Sequence, residues 1–414
     1  MNIVIIGAGP AGVSAAETVR KHDRQCQIVM LTSEPYPPYS PPALAEYFIT
    51  GRPVHFWKGE DLPERLQLDY RAANRVLEVQ PGEQRLVLDQ GRELFYDQLV
   101  IASGGRLYAP ISGAEKEGIH NFKSLQAGTE LLEKVRSKRV SSALIVGAGF
   151  IGVEVALLLH ELGLEVTMLV RSRVMRGMLD PETSQKVEGI LLSRGIELKR
   201  GLDADATGFV GERQVEGVQM RSGAVLKADI YVAATGLKPN IEFLEGSGIA
   251  TNWGILVNEH LRTSFNNVYA AGDVAEARDR ITGQHVVYPN YPNAVEQGRI
   301  AGSNLLGLDQ VYDGAEAMNS MKHLGLPVIA VGSMEGEELR AQHAENLRKL
   351  WVKDGRLVGF RLVGDIGCAG IYLSLMRRAE DISTVKDDLL DSNFGMGYLT
   401  GLALDSKMGP AGMK

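Results

Sequence analysis

The stretch Ile3-Val4-Ile5-Ile6-Gly7-Ala8-Gly9-Pro10-Ala11-Gly12 decides the fold. Four apolar residues that read as a buried strand run into three glycines spaced G-x-G-x-x-G. A helical pattern to about Lys21 and a second strand, Gln27 to Leu31, follow. The unit then recurs as Ala143 to Val146, Gly147-Ala148-Gly149-Phe150-Ile151-Gly152, a helix to about Leu162 and a strand from Glu165 to Val170. Each glycine of the second set (147, 149, 152) stands 140 residues after its counterpart (7, 9, 12). In such a unit the first glycine permits the tight turn, the second lets backbone approach a pyrophosphate, and the third lets helix and strand pack closely. The helix that follows turns its free N–H groups toward the phosphates. A lone match is weak, but two copies, each between a strand and a helix, meet the structural context the mechanism demands. The chain carries two dinucleotide folds.

Working outward, residues 74 to 101 alternate like antiparallel strands, with Val76, Leu77 and Val79, a turn at Pro81-Gly82, Leu86 to Leu88, a turn at Gln90-Gly91, and Leu99 to Ile101. The second unit continues through Gly195 to a strand at Asp229 to Ala233 that ends in Ala234-Thr235-Gly236. Val268-Tyr269-Ala270-Ala271-Gly272-Asp273 is a further strand and turn, and a helix pattern runs from about Asn293 to Leu306. The last hundred residues mix strands at Lys349 to Val352 and Leu357 to Val363 with a helix near Ile371 to Arg378.

Composition excludes several classes. At 414 residues the chain is long enough for two or three domains, and 44% hydrophobic with 23% charged residues is an ordinary globular balance. A formal charge of -7 argues against a general nucleic-acid or anionic-membrane binder. Cys26 and Cys368 are the only cysteines and lie 342 residues apart, so neither a disulfide framework nor a zinc cluster can be built from them alone. The chain opens directly into an apolar strand and has no spanning run of about 18 apolar residues, which sets the expectation of a cytoplasmic protein. His55 and His323 read as packing or surface residues.

Five marks in order, the two glycine fingerprints, Ala102-Ser103-Gly104, Ala234-Thr235-Gly236 and Tyr269 to Asp273, make the chain resemble the FAD- and NAD(P)H-dependent pyridine nucleotide oxidoreductases over essentially its whole length. The resemblance implies an α/β fold of two Rossmann-like, doubly wound, three-layer dinucleotide-binding domains, one inserted in the other, with a C-terminal α+β interface domain. It places an FAD domain at 1–112 and 240–313, an NAD(P) domain at 113–239 and the interface domain at 314–414. Gly7, Gly9, Pro10 and Gly12 would hold the FAD pyrophosphate, with Val76, Ala102, Ser103, Gly104 and Gly272 lining the same site. Glu34, 22 residues beyond Gly12, would accept from the adenosine ribose hydroxyls, or else is a solvated loop carboxylate. Asp273 would bond the ribityl chain, or else is a plain turn residue. The helix from Asn293 and Ala294 would aim its positive end at the pyrimidine edge of the flavin, favouring the reduced, anionic ring by roughly 0.3–2 kcal/mol.

Gly147, Gly149, Phe150, Ile151, Gly152 and Gly236 would take the nicotinamide nucleotide. Glu154 resembles the acid that orients the nicotinamide carboxamide and is the catalytic candidate, against a plain surface position on its helix. Phe150 either covers the flavin face or only packs. Where NAD-preferring relatives carry an acid, Val170 stands, followed by Arg171 and Arg173, which could pair with a 2'-phosphate or be solvated. NAD and NADP both stay open.

Departures set the subclass. Redox-active cysteines of many relatives are absent, and Ser40 stands in Pro38-Tyr39-Ser40-Pro41-Pro42-Ala43-Leu44, where single-cysteine members keep a thiol. That segment is similar to the Pro-Tyr-x-Arg-Pro-Pro-Leu-Ser-Lys run of ferredoxin and rubredoxin reductases, with Pro41 and Glu46 in place of the Arg and Lys. Ile281-Thr282-Gly283, Tyr291 to Gly298, Met318-Asn319-Ser320 and Gly364-Asp365-Ile366 look like the NAD-linked flavin subunits of phenylglyoxylate dehydrogenase and tungsten aldehyde oxidoreductase complexes, with the nitrite reductase large subunit a further relative. The implied activity moves hydride between NAD(P)H and flavin, and single electrons between flavin and an iron-sulfur partner or subunit. An NAD(P)H oxidase and a non-catalytic nucleotide-sensing subunit are the alternatives. The C-terminal domain could serve a homodimer or a heteromeric contact.

Overall fold

The computed structural model describes residues 1–55, 58–137, 140–321, 325, 327–391 and 394–395. His323 and the end of the expected C-terminal domain, 396–414, lie outside the described residues.

The first sheet has five parallel strands in the order Val268–Ala270, Gln98–Ile101, Asn2–Ile6, Gln27–Leu31 and Asp69–Arg71. The second has the same plan: Ile119–His120, Ile230–Ala233, Ser142–Val146, Glu165–Leu169 and Glu197–Lys199. In each, a three-stranded antiparallel sheet enters the chain before the strand that returns beside the first. These are Val76–Gln80, Arg85–Leu88 and Glu93–Phe95 in one copy, and Ala206–Val210, Gly217–Met220 and Val225–Leu226 in the other. The repeat read from three glycines thus extends to four strands of each sheet, while the fifth, edge strand comes last in chain order in the first sheet and first in the second. Where the chain passes between the two sheets and back, Gly105–Leu107 and Leu237–Pro239 pair antiparallel.

The expectation of antiparallel strands through residue 101 needs one correction, because Gln98–Ile101 runs parallel to Asn2–Ile6. Leu99, Val100 and Ile101 are all 0% exposed. A strand buried on both faces is what a parallel sheet demands, and short apolar runs do not reveal direction.

The two parallel sheets and their helices form one compact unit, Met1–Ser172 with Gly195–Glu316. Arg173–Arg194 and the chain from Ala317 form the other. The second unit is built on five antiparallel strands in the order Met318–Met321, Val328–Gly332, Arg356–Val363, Asn346–Lys353 and Glu337–His343, with helix Ala369–Arg378 against them. Its core includes Tyr372, whose ring lies 5.5 Å from that of Phe360 and 5.9 Å from that of Phe394.

Helix Pro181–Ser193 belongs to this unit although it falls between two strands of the second parallel sheet in chain order. Asp180 caps it, accepting from the Glu182 and Thr183 backbone N–H groups. The buried Lys349 ammonium lies 2.8 Å from Asp180, 2.9 Å from Glu338 and 3.2 Å from Glu182. Burial alone would raise the Asp180 carboxyl, but Lys349 and Thr183 hold it below its usual range. Burial would likewise lower Lys349, and the carboxylates hold it above. Among the described residues no helix is long and apolar enough to cross a membrane.

Candidate functional site

Three glycines at residues 7, 9 and 12 serve three separate needs. Gly7 has φ +108°, and a Cβ there would sit 2.1 Å from the Ala102 carbonyl oxygen. A Cβ on Gly12 would sit 2.0 Å from the Gly7 carbonyl oxygen, so strand and helix could not close. Gly9 is different: it caps helix Pro10–His22 in extended geometry, and a Cβ would meet no protein atom within 4 Å. Packing does not require glycine at 9, but a pyrophosphate approaching the backbone does, and the cradle fits one. Pro10 occupies the first helical turn, where a missing N–H costs nothing.

Other predicted residues gather around this turn in the same parallel sheet. The Ala102 N–H donates to the Ile6 carbonyl, so the strand end lies beside the glycine turn. Ser103 and Gly104 are held to Asn240: the Ser103 hydroxyl donates to the Asn240 carbonyl at 2.9 Å, and the Asn240 amide returns the bond to the Ser103 carbonyl at 2.9 Å. Glu34 lies past the second strand. Its carboxylate accepts from the Tyr39 hydroxyl at 2.6 Å and from the Gln126 N–H at 3.3 Å. Burial, and then the Glu34 charge, push the Tyr39 phenol well above its ordinary range and keep it a donor. Ala73 N–H donates to the Glu34 carbonyl, which brings the start of the Val76 strand alongside.

Gly272, at φ +83°, packs against Ala11 and Ala294, and its N–H donates to the Gln297 side chain at 2.7 Å. Asp273 carries a partner that the sequence did not announce, the Lys123 ammonium at 2.8 Å. Helix Tyr291–Asn304 is capped by Asn290, whose side chain accepts from the Asn293 N–H at 2.9 Å. The Asn293 amide is turned inward, donating to the Glu316 carbonyl at 3.0 Å and accepting from the Glu316 N–H at 3.2 Å. What Asn293 leaves for a ligand is its place in the helix end. Lys123, Tyr39, Asn240 and Gln297 are the residues sequence reasoning missed. Lys123 stands 150 residues from Asp273, and no local pattern connects them.

The second glycine set repeats the geometry. Gly147 has φ +113° with its Cβ position 2.4 Å from the Ala234 carbonyl oxygen, and the Gly152 Cβ position lies 2.5 Å from the Gly147 carbonyl oxygen. A Cβ on Gly149 would again meet nothing within 4 Å. Phe150, Ile151 and Glu154 lie half-buried in the first turns of helix Phe150–Glu161. Gly236 is exposed, and its carbonyl accepts from the Tyr108 N–H at 2.9 Å. Val170 is buried and its N–H donates to the Lys199 carbonyl, while Arg171 is exposed. Arg173, in the other compact unit, is clasped by its own loop, donating to the carbonyls of Arg176 and Leu179 at 3.2 Å each.

Both thiols are buried and engaged: Cys368 donates to the Phe394 carbonyl at 3.1 Å and Cys26 to the Asp23 carbonyl at 3.6 Å. Burial raises the Cys26 pKa, which keeps it a poor nucleophile.

Comparison with known proteins gives the family and the fold. A family model described as Pyridine nucleotide-disulphide oxidoreductase matches residues 1–298. The chain is 28% identical to the assimilatory nitrate reductase electron transfer subunit of Bacillus subtilis, over 94% of its own length and 51% of that protein, so it spans about half of that relative. It is 32% identical to an NADH oxidase of Methanocaldococcus jannaschii, covering 86% of this chain and 80% of the relative. It is 27% identical to the epsilon subunit of NADH-dependent phenylglyoxylate dehydrogenase of Aromatoleum evansii, covering 95% and 96%. The fold is that of the reductase in the covalent putidaredoxin reductase–putidaredoxin complex, with a TM-score of 0.85 at 22% identity over 99% of each chain.

Proposed function

The chain belongs to the pyridine nucleotide-disulphide oxidoreductase family, and from that premise we propose an FAD-dependent oxidoreductase that exchanges hydride with NAD(P)H and single electrons with an iron-sulfur or similar redox protein. Bound FAD would supply the chemistry that links a two-electron donor to one-electron acceptors. The single observation that carries the reading is the twice-repeated turn in which an open glycine, 9 or 149, caps a helix between two glycines whose backbones are closely packed.

In this reading residues 1–112 and 240–313 form the FAD-binding domain, 113–239 the NAD(P)-binding domain and 314–414 an interface domain, with the reaction in the cytoplasm. Gly7, Gly9 and Gly12 hold one pyrophosphate and Gly147, Gly149 and Gly152 the other. Glu34, oriented by Tyr39 and Gln126, accepts from the adenosine ribose. Asp273 holds the ribityl chain, and Lys123, already on that carboxylate, shares its charge. The first turn of Tyr291–Asn304 places partial positive charge at the ring. Glu154 orients the carboxamide. The Pro38 to Leu44 segment contains no cysteine, so none of its side chains offers a thiol to receive the electrons.

Two relatives are named as subunits of larger redox enzymes, which favours a protein partner over a small acceptor. The oxidase reading rests on the relative named NADH oxidase. Reduced, FAD-loaded protein mixed anaerobically with a ferredoxin or rubredoxin, and separately with air, tests the choice. The proposal expects reoxidation by the carrier many times faster than by oxygen; fast reoxidation by air with none by carriers would overturn it in favour of the oxidase.

A further inference from the structure

We propose that Gln297 is a positioning residue for the flavin, fixing the Gly272-Asp273 turn to helix Tyr291–Asn304 so that the ribityl anchor and the helix end act as one rigid part. The inference rests on the FAD reading above and adds to it a residue with no contact to the ligand required.

Gln297 is 3% exposed and lies on the buried face of the helix, behind the turn. Its side-chain oxygen accepts the Gly272 N–H at 2.7 Å, and its amide donates to the Tyr312 hydroxyl at 3.2 Å. Tyr312 is 6% exposed, and its hydroxyl reaches the Asn293 side-chain oxygen at 3.5 Å. Asn293 in turn is tied to the backbone of Glu316. A chain of buried polar groups therefore runs from the turn, through two residues of the helix, to the Glu316 backbone. Each group has a partner in this arrangement, and an unpaired buried amide is costly, so the network favours this geometry.

The turn has little freedom to find another. Gly272 sits at φ +83°, and a Cβ there would already stand 3.0 Å from the Ala11 Cβ. Asp273 is the next residue, so holding the Gly272 N–H limits where the backbone that carries this carboxylate can stand, and Lys123 holds the carboxylate itself. The same helix that holds the N–H also presents its positive end. One side-chain amide thus fixes the spacing between the negative anchor and the positive dipole. If the turn is released, the competent conformation is only a fraction of the population, and apparent affinity falls by that fraction.

The test uses the full chain stripped of nucleotide and titrated with FAD, with the thermal melt of each variant recorded beforehand. Gln297→Met, similar in volume but without an acceptor, is expected to fold, to bind FAD roughly tenfold more weakly, and to shift the midpoint potential of bound flavin to more negative values. Gln297→Glu, which keeps an oxygen facing Gly272, is expected to hold FAD within about threefold of the parent. Should Gln297→Met fail to fold, Tyr312→Phe carries the test, with an expected weakening of about threefold because Gln297 loses its second anchor. Parent-like affinity and potential in Gln297→Met, or in Tyr312→Phe where that variant stands in, would overturn the proposal. A parent protein that takes up no FAD would instead overturn the FAD reading itself.

Discussion

At Gly7 and at Gly147 the chain makes the same move: φ is +108° and +113°, and a side chain would strike the carbonyl of Ala102 in one copy and of Ala234 in the other. Strand order around the two turns is also shared. What differs lies outside the fingerprint. Past the second strand of the first copy stands the Glu34 carboxylate, held by Tyr39 and Gln126; past that of the second stand buried Val170 and exposed Arg171.

The helix of the first copy is interlocked with Tyr291–Asn304. A Cβ on Gly298 would lie 2.1 Å from the Ala11 carbonyl oxygen, and one on Gly302 2.7 Å from that of Ala15. The second helix instead buries larger side chains, Val153, Leu157, Leu158 and Leu159. Helix Pro181–Ser193, which follows the second strand of that copy, is built into the C-terminal unit through Lys349 and its carboxylates. On the proposed reading the fingerprint provides a phosphate cradle, and the neighbours decide whether the nucleotide stays or exchanges: the interlocked copy keeps FAD and the other trades NAD(P)H.

That contrast can be broken at graded cost. Gly298→Val should do most damage, since it forces the interlocked helices apart: a loss above ~4 kcal/mol in the melt and no FAD retained are expected. Lys349→Met attacks the other copy's borrowed helix. Leaving buried Asp180 without its cation should cost about 3–5 kcal/mol, read as earlier chemical unfolding, with FAD content unchanged.

The middle glycines separate ligand from fold. Gly9→Val and Gly149→Val should each cost about 1 kcal/mol of stability or less, while nucleotide affinity falls ~100-fold. The first should empty the protein of flavin, and the second should leave it yellow but slow to react with NAD(P)H. Val170→Asp tests the remaining asymmetry by giving the second copy an acid. The ratio of kcat/KM for NADH over NADPH should rise about tenfold.

The smallest effect is a pH dependence. Asp180 and Glu182 have folded pKa values below their unfolded ones, so their stabilisation is present at neutral pH and lost as pH falls below about 4. Lys349 is raised, so its share is full below about pH 10 and lost above. Acid melting of Lys349→Met should be less steep than that of the parent over the same range.

Much of this was legible in the chain itself because glycine is irreplaceable where backbone meets backbone, and Gly7, Gly12, Gly147 and Gly152 all do. The strand end Ala102-Ser103-Gly104 was legible for another reason, the left-handed turn that Gly104 makes at φ +67°. Direction was not: Gln98–Ile101 looks alike whether it pairs parallel or antiparallel. Strand Glu337–His343 was hidden because it is mostly polar and exposed at a sheet edge, with no apolar alternation. Lys123 on Asp273 and Gln297 on Gly272 are contacts made by the fold, across 150 and 25 residues, and no spacing rule anticipates them.

On the proposed reading, two nucleotides held by twin cradles react with each other. The most direct measurement is an anaerobic titration of FAD-loaded protein with NADH and with NADPH, following the visible flavin band in a stopped-flow cell. Rapid bleaching by at least one of them is expected, near one equivalent of nucleotide per flavin. A protein that binds FAD and keeps its colour with both would contradict it.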